Sequence, residues 1–185
     1  VDAEALYQRG HELMKRGDIP GACQAFAGSL RLEEGVGTML NLADCREREG
    51  KLATAWELFS RTASLAARAE ARPQADEARR RASHLAPRLS QLTIAVAERS
   101  RIAGLRITRD GKPLDEALWN QALPVDGGRH VIAATAAGAQ PISIAVDVAA
   151  EGAKVTAAIP RLETIRVDVR PTPIPALVPP PHEPR

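Results

Sequence analysis

From Ala3 to about Leu89, apolar residues recur at spacings of three and four, with glycine and proline only as punctuation. That pattern predicts a succession of amphipathic helices. From Leu92 onward the period changes to two. In "ISIAVDV", Ile142, Ile144, Val146 and Val148 share one face, while Ser143, Ala145 and Asp147 occupy the other. The segments "LTIAV", "LRITR", "KVTAAI" and "TIRVDVR" alternate in the same way. Asp110-Gly111, Asp126-Gly127-Gly128, Gly138 and Glu151-Gly152 provide turn signals between them. The change of period falls near Pro87 to Gln91. An α+β chain in two domains is therefore expected, with an all-α unit over residues 1–89 and an all-β unit over 91–170. The closing "RPTPIPALVPPPHEPR" predicts an extended, disordered proline-rich linker over 171–185, because proline fixes φ and removes backbone donors.

The helical half repeats itself. "KRGDIPGACQAFAGSL" superposes on "EREGKLATAWELFSRTA" at a shift of 33 residues, placing Gly17 on Gly50, Ile19 on Leu52, Ala22 on Ala55 and Phe26 on Phe59. Each position has a mechanical reading. The glycine ends a helix with positive φ. The alanine lets two helices approach, and the aromatic fills the space between hairpins.

These residues resemble the tetratricopeptide repeat, whose period is about 34. Leu6 and Gly10 fit its first-helix pattern, with Leu13 further along. Met39 and Leu42 hold the apolar positions of a second copy, in which Ala43 and Arg46 replace the usual glycine and tyrosine. The likeness covers about residues 3–69, and "QADEARRRASHLAPRL" after Pro73 resembles a capping helix. It implies a concave groove lined by the first helix of each hairpin. Carried over by position, Tyr7, Gln8, His11 and Lys15 line that groove, with Leu40, Asn41, Asp44 and Arg48 beside them. Of the positions that clamp a peptide carboxylate in some relatives, only Asn41 is filled, so that clamp is not expected. A peptide groove and a plain solvated helix face both remain open readings.

In the β half, "GLRITRDGKPL" followed by "ALPVDGGRHVIAATAAGAQPISIAVDV" resembles the PEGA-type domain, a small β-sandwich. Asp110-Gly111, Pro124, Gly128, His130 and Gly138 match its pattern in order, and Trp119 lies in an inserted "DEALWNQ" segment. The tandem of helical repeats, sandwich and proline tail resembles a group of myxobacterial-type cell-envelope proteins. That likeness implies a periplasmic or extracytoplasmic chain, held to a membrane only through an anchor outside this sequence.

Composition narrows the function. With 25 basic and 23 acidic residues, the net charge of +2 gives no field that would favour a nucleic acid. Aromatics are 3 % of the chain, which leaves few platforms for stacking on bases or sugars. His11, His84, His130 and His182 show no ligand spacing, so neither a metal nor another cofactor is expected. No nucleophile elbow, phosphate loop or dinucleotide fingerprint occurs, and the reading is a protein that is not an enzyme. Arg79-Arg80-Arg81, with Arg68 and Arg72 upstream, reads as an anion patch or as a solvated helix face beside Asp76 and Glu77. The expected function is an interaction scaffold: a protein or peptide partner in the repeat groove, with the sandwich as a positioning module. The alternatives are a module that contacts cell-wall peptidoglycan or carbohydrate, and a cytoplasmic regulatory domain of a signalling protein.

The two cysteines follow from the repeat assignment. Helices at about Pro20–Leu32 and Gly37–Glu49 would turn near Glu34, with Cys23 eleven residues before it and Cys45 eleven after. Antiparallel packing sets the two at one level. Two thiols cannot close a zinc site. A Cys23–Cys45 disulfide is expected, against the alternative of two buried free thiols.

Overall fold

The computed structural model describes residues 2–165. Five helices come first: α1 (Ala3–Lys15), α2 (Ile19–Leu32), α3 (Val36–Arg48), α4 (Leu52–Arg68) and α5 (Arg72–Leu85). Seven strands follow: β1 (Ser90–Val96), β2 (Arg106–Arg109), β3 (Lys112–Leu114), β4 (Ala122–Val125), β5 (Gly128–Thr135), β6 (Ile142–Val148) and β7 (Lys154–Ile159). The α+β class and the order of its halves are those the change of period predicts. The proline-rich tail, with His182, lies outside the described residues, as does "TIRVDVR" beyond Ile165. Of that segment, Thr164 forms an isolated bridge with Ala139.

Local chemistry starts and stops the helices. Asp2 accepts from the Ala5 N–H at the start of α1, and Asp18 accepts from Gly21 at the start of α2, with Pro20 in its first turn. Gly17 and Gly50, at φ 78° and 75°, turn the chain out of α1 and α3 in the left-handed region, where a Cβ would strain the backbone. Ala22, Ala55 and Phe26 are fully buried, and Phe59 is nearly so. A methyl group at Gly10 would stand 2.5 Å from the Phe26 ring, so close approach selects glycine there. Phe26 meets the edges of Tyr7 and His11, whereas Phe59 carries the Arg81 guanidinium 4.8 Å above its face. Cys23 and Cys45 are at disulfide distance, with Cα atoms 5.5 Å apart and no exposed area, and tie α2 to α3.

The strands form two small sheets, one in the order β4-β1-β7 and one in the order β3-β2-β5-β6. β1 runs antiparallel to β4 and parallel to β7. The inward faces share one core: Leu92, Ile94 and Val96 from β1 pack with Ile107, Ile132 and Ala134 from the other sheet. Sheets packed face to face through alternating residues make a sandwich. Trp119 is 5 % exposed within that core. Its neighbour Asn120 bonds both the N–H and the carbonyl of Val96, holding the inserted segment against β1.

The two halves join over two residues. Leu89 packs on the helical core, and Ser90 is buried against the β unit, where its hydroxyl donates to Ala149 and accepts from Ala153. Arg88 clasps Glu151 through Nε and Nη2 at 3.1 and 2.6 Å.

Candidate functional site

Two surfaces carry functional side chains. The first is the face shared by α1, α3 and α5. Asn41 Nδ2 donates to the Tyr7 hydroxyl at 3.1 Å and lies 3.3 Å from His11 Nε2, and Tyr7 and His11 meet edge to face. Three of the groove residues read from sequence are thus brought together. Asp44 accepts from Arg48 Nε at 2.8 Å and from Arg81 Nη2 at 2.9 Å, and Arg81 also holds Glu47 at 2.7 Å. Burial works against the Arg81 charge, but the bonds to Asp44 and Glu47 outweigh it and raise the guanidinium pKa above its ordinary value. Gln8 donates to Glu4 and Lys15 pairs with Glu12, both along α1 and in solvent. Leu40 is half-buried against the neighbouring core.

The three consecutive arginines of α5, Arg79 to Arg81, divide around the helix. Arg79 pairs with Asp76 and Arg80 with Glu77, each three residues back, while Arg81 turns inward over Phe59. Neighbouring residues on a helix do not face each other. Each cation of the run is met by a carboxylate, which is the arrangement of a solvated face.

The second surface is a cleft of about 640 Å³ where α4 meets the β unit. Trp56 from α4 forms its apolar side with Pro113, Leu114, Leu123 and Pro124. At its edge, the β4–β5 turn docks on the helix: Asp126 accepts from the Thr54 backbone N–H at 3.0 Å and from the Thr54 hydroxyl at 2.6 Å. A carboxylate there satisfies a free N–H of the first turn and complements the helix dipole. His130 sits behind it. Its Nδ1 is 2.7 Å from Asp110 Oδ2, and its Nε2 is 2.8 Å from the Asp126 carbonyl. Both neighbours are oxygen acceptors. Partial burial pushes the Asp110 carboxyl up, but hydrogen bonds from His130 and the Val131 N–H outweigh it and hold the pKa below the ordinary aspartate value.

Arg109, on β2, completes the lining. Its Nη1 is buried and has no hydrogen-bond partner among the described residues. The aspartate–histidine pair next to it has the look of catalytic machinery, yet the distal ring nitrogen faces a backbone carbonyl rather than a nucleophile. Its geometry serves the turn that docks on α4.

Nothing in the sequence pattern groups Arg109, Asp110, Asp126 and His130. One signal was present in "LRITR": Arg109 stands two residues after Ile107, on the inward face of its strand. Among the described residues, no cluster of three or more histidine, cysteine or acidic side chains is placed to hold a metal, and no helix is long and apolar enough to cross a membrane. No family model matches the chain, and no curated protein matches its sequence.

Proposed function

We propose that the chain is a non-enzymatic interaction scaffold of a bacterial cell envelope, with tetratricopeptide-like hairpins that receive a protein or peptide partner and a PEGA-like sandwich that positions them. The observation that carries this reading is the common face of α1 and α3. There Tyr7, His11 and Asn41 form a half-buried polar seam between the two helices, with Gln8, Lys15 and Arg48 exposed around it. A seam already ordered by internal bonds costs little side-chain entropy to dock against. The exposed residues supply adaptable donors at the rim. The cysteine pair supports an oxidising compartment, because such bridges persist outside the cytosol. That observation weighs against the cytoplasmic regulatory reading. The sugar-binding reading has lost its only aromatic in the β unit, since Trp119 is buried in the core.

Site-specific photocrosslinking in cells tests the proposal. A crosslinker at Gln8, Lys15 or Arg48 is expected to capture one defined protein. The same group at Arg61 or Ser64, exposed on α4, should capture nothing in common with it. Equal capture from both sets of positions would reject the α1–α3 face as the partner surface.

A further inference from the structure

We propose that β6 is a docking edge for a second copy of this chain, with the two β6 strands pairing antiparallel about Ala145 across a two-fold axis. The interface is separate from the α1–α3 face and does not depend on the scaffold reading.

Among the edge strands of the two sheets, β3 and β4 carry Pro113 and Pro124, which remove a backbone donor from each. β6 is paired only with β5 and has no proline, glycine or lysine along "ISIAVDV". The register shows where its backbone groups point. The Val131 carbonyl accepts from the Asp110 N–H, so Val131 turns its backbone groups toward β2, and its neighbours His130 and Ile132 turn theirs toward β6. Their partners Val146 and Ile144 spend their own groups on β5. Ser143, Ala145 and Asp147 therefore direct N–H and C=O to the open edge, and all three are exposed. The crossing segment that bridges Ala139 and Thr164 lies beside Gly138 and Gln140, short of these positions.

The side chains along this edge are unfinished as well. Ile132 on β5 has no exposed area, whereas Ile142, Ile144 and Val146, on the same face of β6, are only half-buried against the core. On the outer face Val131, opposite Ala145, is exposed. A further strand along β6 covers both sets.

A second copy fits because β6 complements itself. Pairing centred on Ala145 sets Ile144 opposite Val146 of the copy and Ile142 opposite Val148, so the apolar rows meet. It sets Ser143 opposite Asp147, so no like charges face each other. In that register the outward groups of Ser143, Ala145 and Asp147 all find partners. Centring on Ile144 or Val146 instead would leave one of the three without a partner in the strand. The contact is isologous and uses up the edge, so it closes at a dimer.

The test measures the mass of the full chain by sedimentation equilibrium from about 1 to 300 µM, where a small edge interface associates. A monomer–dimer equilibrium is expected. Ala145→Pro removes the central outward donor without touching the β5 ladder, and should weaken dimerisation about tenfold at an unchanged circular dichroism spectrum. Charges test the register: Ser143→Lys, facing Asp147, should tighten the dimer about fivefold, and Ser143→Asp should loosen it by a similar factor. The proposal fails if the full chain stays monomeric at about 300 µM, if folded Ala145→Pro dimerises as the parent does, or if the two Ser143 variants act in the same direction. Tightening by Ser143→Asp would make the segment after Ile165, with Arg166 and Arg170, the occupant, and would overturn the pairing of β6 with itself. Ser143 is exposed, so its two variants keep the test intact even where Ala145→Pro fails to fold.

Discussion

The helical and β units are held together by different means. In the helical unit the buried set is dominated by alanine, with Phe26, Phe59, Met39 and the Cys23–Cys45 pair as its bulk. In the β unit Leu92, Ile94, Ile107, Ile132 and Trp119 fill a sandwich without a staple. Close helix packing through small residues buries little area per residue, so each large side chain and each crosslink carries a greater share. The difference extends to the surfaces. On the helical face the polar groups of α1, α3 and α5 pair with one another, while beside the cleft bordered by β2 one guanidinium nitrogen of Arg109 has no hydrogen-bond partner among the described residues.

The strongest way to break this comparison is Phe59→Ala. The ring is almost completely buried, and it supports the Arg81 guanidinium as well as the core. A loss of about 3–5 kcal/mol is expected. If the units are distinct in stability, helical circular dichroism will melt early while the Trp119 environment persists to the original temperature. Simultaneous loss of both signals would show one cooperative body and remove the distinction.

Reduction of the cysteine pair is the next test. The bridge spans 22 residues and joins the first hairpin to α3. A loop of that length gives about 3 kcal/mol in the chain-entropy account. Refolding in reductant should lower the helical melt and leave the β melt unchanged. An unchanged helical melt would mean that packing alone holds α2 on α3, and the contrast with the unstapled sandwich would disappear.

What was legible follows the same division. The helices, their glycine stops, the buried Phe26 and Phe59 and the cysteine pairing all depend on neighbours related by a fixed offset or by symmetry about one turn. Such relations are visible along a chain. The strands were legible as segments, because alternation is local: β6 and β7 coincide with "ISIAVDV" and "KVTAAI". Their partners were not. Asp110 meets His130 only through the β2–β5 register, and Asp126 meets Thr54 across 72 residues. Trp119, within the inserted segment, is core, and only the folded sandwich shows which residues cover it. Tyr7, His11 and Asn41 meet between α1 and α3, but nothing along the chain signals that Arg81 reaches across to Asp44.

The smallest effect bears on how the two units are coupled. Asp126 leaves the β4–β5 turn to cap Thr54 in the first turn of α4, so a helix of one unit is capped by a residue of the other. Asp126→Ala removes both acceptors and leaves the Thr54 N–H to solvent, at a cost of about 1 kcal/mol for a lost cap. Asp126→Asn keeps one amide oxygen for that N–H and should recover about half of the loss. The informative readout is the relative orientation of the units, from residual dipolar couplings measured on each. With the cap removed, the two alignment tensors should diverge, since Arg88–Glu151 and the Leu89–Ser90 junction then carry the contact. If the tensors remain equal in Asp126→Ala, the junction fixes the geometry by itself. Asp126 then contributes only to α4, and the walls of the cleft keep their spacing without it.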